Sequence, residues 1–237
     1  MRLKKFWCIL VTIAMVASLF TGLTPVFAAD TTEGFTDDFE SYAEGAPSAP
    51  WEYRNDFPEA DSEKNNTVFG KYNVAGKSSK GIKITRYENE AQGRLMQLSR
   101  TFSPISDVVT AEFDFSSASY STNYNSFILY AGDKVVSELA FITKDDRLQL
   151  TLREEGTWVD AAAYGAYVTI KWTVDIAAKT VSVSVGDKEI IKDIPVNSAG
   201  AGLPVDKFLI NARQWHNATV VIDNVKVYGA AGPVEGD

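Results

Sequence analysis

Thr169-Ile170-Lys171-Trp172-Thr173-Val174-Asp175, then Ile176-Ala177-Ala178-Lys179, then Thr180-Val181-Ser182-Val183-Ser184-Val185 is the stretch on which the fold turns. Ile170, Trp172 and Val174 alternate with polar residues, and Val181, Val183 and Val185 do the same. Side chains of a strand point to opposite faces with a period of two, so each run has one apolar and one polar face. That is the pattern of half-buried antiparallel strands. Ile176–Lys179 is short enough to be a hairpin connection, and Gly186-Asp187-Lys188 supplies the next turn.

The same rule extends outward. Val109–Phe115 puts apolar residues at odd positions, and Leu148, Leu150 and Leu152 share one face of Arg147–Arg153. Gly81–Arg86 alternates, and Leu95–Phe102, Phe208–Arg213 and Val220–Tyr228 are further candidate strands. Ala46-Pro47-Ser48-Ala49-Pro50 is turn-rich, and 54–66 is polar and expected to be loop. No segment sustains a 3.6-residue period. Many short strands between turns mean an all-β sandwich or barrel.

Arg2, Lys4 and Lys5 precede an apolar run from Phe6 to Phe20 and small residues up to Ala28. This is a secretory signal pattern, so residues 1–28 are expected to be removed and the protein exported. The run is too short to span a bilayer, and no other segment is apolar enough, so no membrane insertion of the mature form is expected. The expected limits are a flexible leader at 29–34, one domain at 35–229 and a linker-like tail at 230–237. That tail would suit further domains of a larger parent chain. Without residues 1–28 the chain keeps 20 of its 23 Lys+Arg against 31 Asp+Glu, a formal charge of −11. An acidic chain lacks the basic footprint that nucleic acid requires. The one cysteine, Cys8, lies in the signal segment, so the core must hold without disulfides.

Asp37-Asp38-Phe39-Glu40-Ser41-Tyr42 opens the domain and Val220-Val221-Ile222-Asp223-Asn224-Val225-Lys226-Val227-Tyr228 closes it. If both are strands and pair, Asp38 and Glu40 share one face beside Asp223. Hard cations take six to eight oxygens from carboxylates and carbonyls, so these three are the candidate ligands of a structural Ca²⁺. A single histidine, His216, rules out a multi-histidine zinc site. Glu112 and Asp114 share a strand face at a spacing compatible with a glycosidase pair, but an exposed strand face carries Glu and Asp simply for solvation, which is the preferred reading. Tyr124 and the run Asn211-Ala212-Arg213-Gln214-Trp215-His216, with Trp158, combine ring faces for stacking with hydrogen-bonding groups. Trp158, Tyr124, Asn211, Arg213, Gln214, Trp215 and His216 are therefore the candidate ligand-binding residues. Arg213 would favour a uronate carboxylate through a bidentate contact.

The segments Asp37–Gly45, Lys171–Val185 and Ile222–Val227 together resemble the concanavalin A-like, laminin-G-like jelly-roll domains of bacterial secreted carbohydrate-active proteins. The resemblance covers about Phe35 to Gly229. It implies a two-sheet antiparallel β-sandwich that binds a polysaccharide, sometimes with a structural calcium. Laminarinase-type glucanases on this scaffold carry Glu-x-Asp-x-x-Glu; here Glu112-Phe113-Asp114 is followed by Phe115, Ser116 and Ser117, so the third carboxylate is missing. The Arg-x-Glu-Leu-Arg run of alginate lyases is also missing. The expected function is a non-catalytic carbohydrate-binding module. The alternatives are a lyase using Tyr124, Arg213 and His216 or a glycosidase, and a structural or adhesive module of a surface protein.

Overall fold

The computed structural model describes residues 32–57, 65–86, 95–117, 121–153, 155–212 and 218–230. The expectations for 1–28, 29–31 and 231–237 lie outside the described residues. Described strands are β1 Thr32–Asp37, β2 Glu52–Asn55, β3 Asn66–Val74, β4 Lys77–Arg86, β5 Met96–Ile105, β6 Val108–Ser117 and β7 Ser121–Ala131. Then come β8 Lys134–Lys144, β9 Arg147–Leu152, β10 Val159–Ala163, β11 Val168–Asp175, β12 Thr180–Val185, β13 Lys188–Pro195, β14 Val205–Ala212 and β15 Ala218–Gly229.

The strands form two antiparallel sheets. One has eight strands in the order β13-β12-β11-β6-β15-β4-β3, with β1 pairing to β15. The other has seven, in the order β10-β9-β8-β7-β14-β5-β2. Consecutive hairpin strands alternate with neighbours distant in sequence, as when β14 lies between β5 and β7. The alternating runs place their apolar faces where expected. Trp172 is fully buried, and so are Phe113 and Phe115 of β6. Across the gap stand Phe127, Phe141 and Phe208 of the other sheet. Phe113 and Phe127 ring centroids are 4.3 Å apart, and Phe115 meets Phe141 at 4.6 Å. Burying one such side chain contributes about 1.5–3 kcal/mol, so this aromatic layer is the main bond between the sheets.

The first end segment differs from its sequence reading in two ways. The strand begins earlier, because Thr32 and Glu33, placed in a flexible leader above, pair with Gly229 and Tyr228. β4 covers β15 only from Ala218 to Ile222, and β1 takes over from Val225. The backbone groups of the second half of β15 thus find their partners in β1, a requirement of the sheet rather than of side-chain pattern. The strand also ends earlier, at Asp37. Asp37 Oδ1 accepts the Phe39 N–H at 3.0 Å and Asp38 Oδ1 accepts the Glu40 N–H at 3.1 Å. Two successive Asx turns bend the chain, and Phe39 adopts φ +60° between them.

Asp37 is the joint between the sheets. Its Oδ2 accepts from Tyr42 Oη at 2.7 Å, Trp51 Nε1 at 2.8 Å and Arg100 Nη1 at 2.6 Å. Arg100 belongs to β5 of the other sheet, and its guanidinium lies 4.3 Å from the Phe35 ring centroid. Burial, and then the bond to Asp37, push the Tyr42 hydroxyl up to about 12.

Candidate functional site

β8 marks the face that matters. Ser137 to Thr143 are all buried, although only Val136, Leu139 and Phe141 among the neighbouring apolar residues belong to the inter-sheet core. Glu138, Ala140 and Ile142 point the other way, and so do Ile128 of β7 and Leu209 of β14 by register. The outer face of the seven-stranded sheet is therefore itself withdrawn from solvent at its centre.

The register lines up one row across that face. Arg54 of β2 faces Gln97 of β5, Gln97 faces Asn211 of β14, and Asn211 faces Ser126 of β7. Ser126 faces Ala140 of β8, which faces Thr151 of β9. Strands lie about 4.8 Å apart, so the row from Gln97 to Thr151 spans roughly 19 Å. Gln97 is half-exposed; Asn211, at 1 % exposure, and Ser126, at 0 %, are not. The Gln97 amide donates to Asn211 Oδ1 at 3.4 Å, a long bond. Ser126 Oγ has no hydrogen-bond partner. A buried unpartnered hydroxyl carries a desolvation cost that nothing within the protein offsets.

Charges surround the row in pairs. Arg153 Nη1 donates to both oxygens of Glu138, at 3.0 and 2.8 Å. Arg54 forks onto Asp56 with two bonds of 2.9 Å. Arg147 approaches Asp160 at 3.5 Å, and Asp160 also accepts from Gln149 at 2.8 Å. The Lys207 ammonium lies 4.6 Å from the Tyr130 ring centroid.

The outer face of the eight-stranded sheet is built differently. Asp223 and Asp114 are cross-strand partners. Tyr72 Oη donates to Asp223 Oδ2 at 2.6 Å and lies 2.7 Å from Tyr167 Oη. Asp114 accepts from Thr169 at 2.6 Å and from the Asn224 amide at 2.9 Å. Burial raises the Asp223 carboxyl above its usual range, against the opposing bonds from Tyr72 and the Asn224 N–H. The Tyr167 hydroxyl is pushed up to about 12, mainly by burial. Gly81 lets the Tyr72 ring come close: a Cβ there would stand 3.1 Å from it and 2.7 Å from the Ile222 carbonyl oxygen.

The residues expected from sequence fall in several places. Asn211 is in the row, and Trp158 is half-buried just before β10. Arg213, Gln214, Trp215 and His216 lie outside the described residues, as does the side chain of Tyr124. Glu112 and Asp114 are on the eight-stranded sheet, where Glu112 takes Lys226 and Tyr228, each at 3.5 Å. The expected gathering of Asp38, Glu40 and Asp223 does not form. Asp38 caps its own turn, because residues 38–40 are not strand. Glu40 accepts the Ser79 hydroxyl at 2.5 Å and the Lys80 N–H at 3.0 Å, and these bonds lower its carboxyl. Lys80 Nζ in turn donates to the carbonyls of Glu40 and Tyr42, both at 2.8 Å. An ammonium thus ties this turn. Among the described residues, no group of three or more His, Cys, Asp or Glu side chains could hold a metal ion. Sequence reading missed Ser126, Gln97 and Thr151, which carry no motif and meet only through register.

No protein-family model and no curated protein matches the sequence. Solved structures do. A cellulose-induced protein, Cip1, superposes with a TM-score of 0.55 at 16% identity over 86% of this chain and all of that one. The fold is of the concanavalin A-like jelly-roll type. Other jelly rolls of this type are similar. A carbohydrate esterase from Shiga toxin-encoding bacteriophage phi24B gives 0.55 at 11% identity, over 84% of this chain and 99% of that one. A sialidase gives 0.58 at 14% identity over 83% of this chain, but the match spans only 18% of the sialidase.

Proposed function

We propose that this jelly roll is a secreted carbohydrate-binding domain that takes a polysaccharide on the outer face of its seven-stranded sheet. The reading is supported by the fold shared with Cip1 and the phage esterase and by the half-exposed amides of Gln97 and Gln149, which that face offers to a ligand. Sugar hydroxyls both donate and accept, so they complement amides of this kind. The carbohydrate-related names of Cip1 and the phage esterase support the same substrate class.

Binding is preferred to catalysis for a specific reason. Hydrolysis needs two carboxylates flanking one bond, 5–10 Å apart. On this face Glu138 of β8 and Asp160 of β10 are two strands and four register positions apart, roughly 17 Å, and each is held by an arginine. The test is retardation of the purified protein in gels containing polysaccharides, with and without calcium. Retardation is expected; none on any polymer overturns the proposal. Reducing ends or unsaturated-product absorbance appearing in the same mixtures would favour the lyase or glycosidase alternative.

A further inference from the structure

Resting on that reading, we infer that the β8–β9 side of the seven-stranded face holds the acidic groups of an anionic polysaccharide, carboxylates or sulfates, through Lys144, Arg147 and Arg153. Lys144 and Arg147 are the last register pair before the β8–β9 turn, so their side chains leave the same face side by side. Both residues are exposed. Like charges directly opposite each other on neighbouring strands are destabilising, and an anion between them removes that cost. Lys144 has no ion-pair partner among the described residues. Arg147 approaches Asp160, Nε to Oδ2 at 3.5 Å, with both side chains about half exposed. Exposed pairs of this kind contribute little, so the rest of the guanidinium fork is available to a ligand.

Arg153 stands at the other end of β9 on the same face, its side chain 49 % exposed. Its Nη1 holds both oxygens of buried Glu138, which fixes the side chain and leaves Nε and Nη2 as donors. Six residues separate the two arginines, roughly 20 Å at strand rise. No single sugar ring spans that distance, so the ligand is a polymer whose acidic groups recur along its length. Between the arginines, half-exposed Gln149 donates its amide to Asp160 at 2.8 Å and keeps its carbonyl oxygen for a sugar hydroxyl. The carboxylates on this part of the face, Glu138 and Asp160, are those already paired. Asp145 and Asp146 form the β8–β9 turn, and Glu155 lies in the turn after Arg153, all beyond the strand positions. The chain as a whole is acidic, but physiological salt screens that charge beyond about 8 Å, whereas the forks act in contact. The preference for acidic sugars expected of Arg213 thus falls to three described residues.

The experiment is affinity electrophoresis of the intact protein in gels containing polygalacturonate, its methyl-esterified form, a sulfated galactan or galactomannan. Retardation by an acidic polymer at least tenfold stronger than by either uncharged one is expected, and the two acidic arms tell carboxylate from sulfate. Free galacturonate should compete at least tenfold less well than the polymer. Lys144→Gln and Arg147→Gln, at exposed positions, should each weaken acidic binding at least threefold, and together at least tenfold, with the melting temperature unchanged. Arg153→Gln should weaken it as well; if the loss of the Glu138 partner unfolds that variant, the K144Q/R147Q pair decides. Retardation by galactomannan or the esterified polymer as strong as by the acidic polymers would overturn the inference and leave the carbohydrate reading standing. So would undiminished acidic binding by the double variant, or free galacturonate that competes as well as the polymer. Failure of all four polymers to retard the protein would overturn both.

Discussion

The two outer faces of the sandwich both carry polar groups and use them differently. On the eight-stranded sheet the groups answer one another: Tyr72 to Asp223, Thr169 and Asn224 to Asp114, Lys226 and Tyr228 to Glu112. On the seven-stranded sheet charges pair around a row in which Ser126 Oγ has no partner. A closed network stabilises the fold; an open one costs stability unless something else completes it.

The largest effect is expected at the joint that both faces depend on. Asp37→Ala removes the acceptor of Arg100, Trp51 and Tyr42 and leaves a mostly buried guanidinium unpaired. Breaking such a pair costs about 3–5 kcal/mol. The melting temperature should fall by roughly 6–20 °C in calorimetry. A fall under a few degrees would show that the sheets are joined by the aromatic layer alone.

A matched pair of hydroxyl deletions tests the faces against each other. Tyr72→Phe leaves buried Asp223 without its 2.6 Å donor and should cost about 1–3 kcal/mol in urea denaturation. Ser126→Ala removes a hydroxyl that has no partner and should leave stability within about 0.5 kcal/mol of the parent, or above it. Equal losses from the two would erase the distinction.

The smallest effect concerns pH. The Asp223 carboxyl is raised in the folded state, mainly by burial. The folded protein therefore holds a proton that the unfolded chain, with a pKa of about 3.9, has begun to release. Stability from this group is complete below that value and declines as pH rises through the raised one. Asp223→Asn should flatten that decline between pH 4 and neutrality. Glu40, whose carboxyl is lowered, gives the opposite slope, with stability lost as pH falls. Unchanged curves on substituting Asp223 would show that its burial is relaxed in solution.

Much of the scaffold could be read in advance. The Thr169–Val185 hairpin, the β6 and β9 runs and the burial of Trp172 follow from alternation. β7 and β8 escaped that reading for a physical reason. A strand buried on both faces loses its alternation and reads as a continuous run, as Leu139-Ala140-Phe141-Ile142 does. That run was the available signal that the face outside β8 is withdrawn from solvent. The end segment misled because four adjacent residues, Asp37 to Glu40, read as strand, whereas side-chain capping of the backbone turns them into consecutive bends.

What the sequence determined by itself was the period of two along the half-buried strands, the acidic composition and the single cysteine at position 8. These are local or additive properties, so one chain suffices to read them. Tertiary structure alone decided which strands became neighbours. Gln97 meets Asn211 across 114 positions and Asp114 meets Asp223 across 109, through backbone ladders that any residue can form. Because those hydrogen bonds carry no side-chain code, neither the closed face nor the open one was written in any single segment.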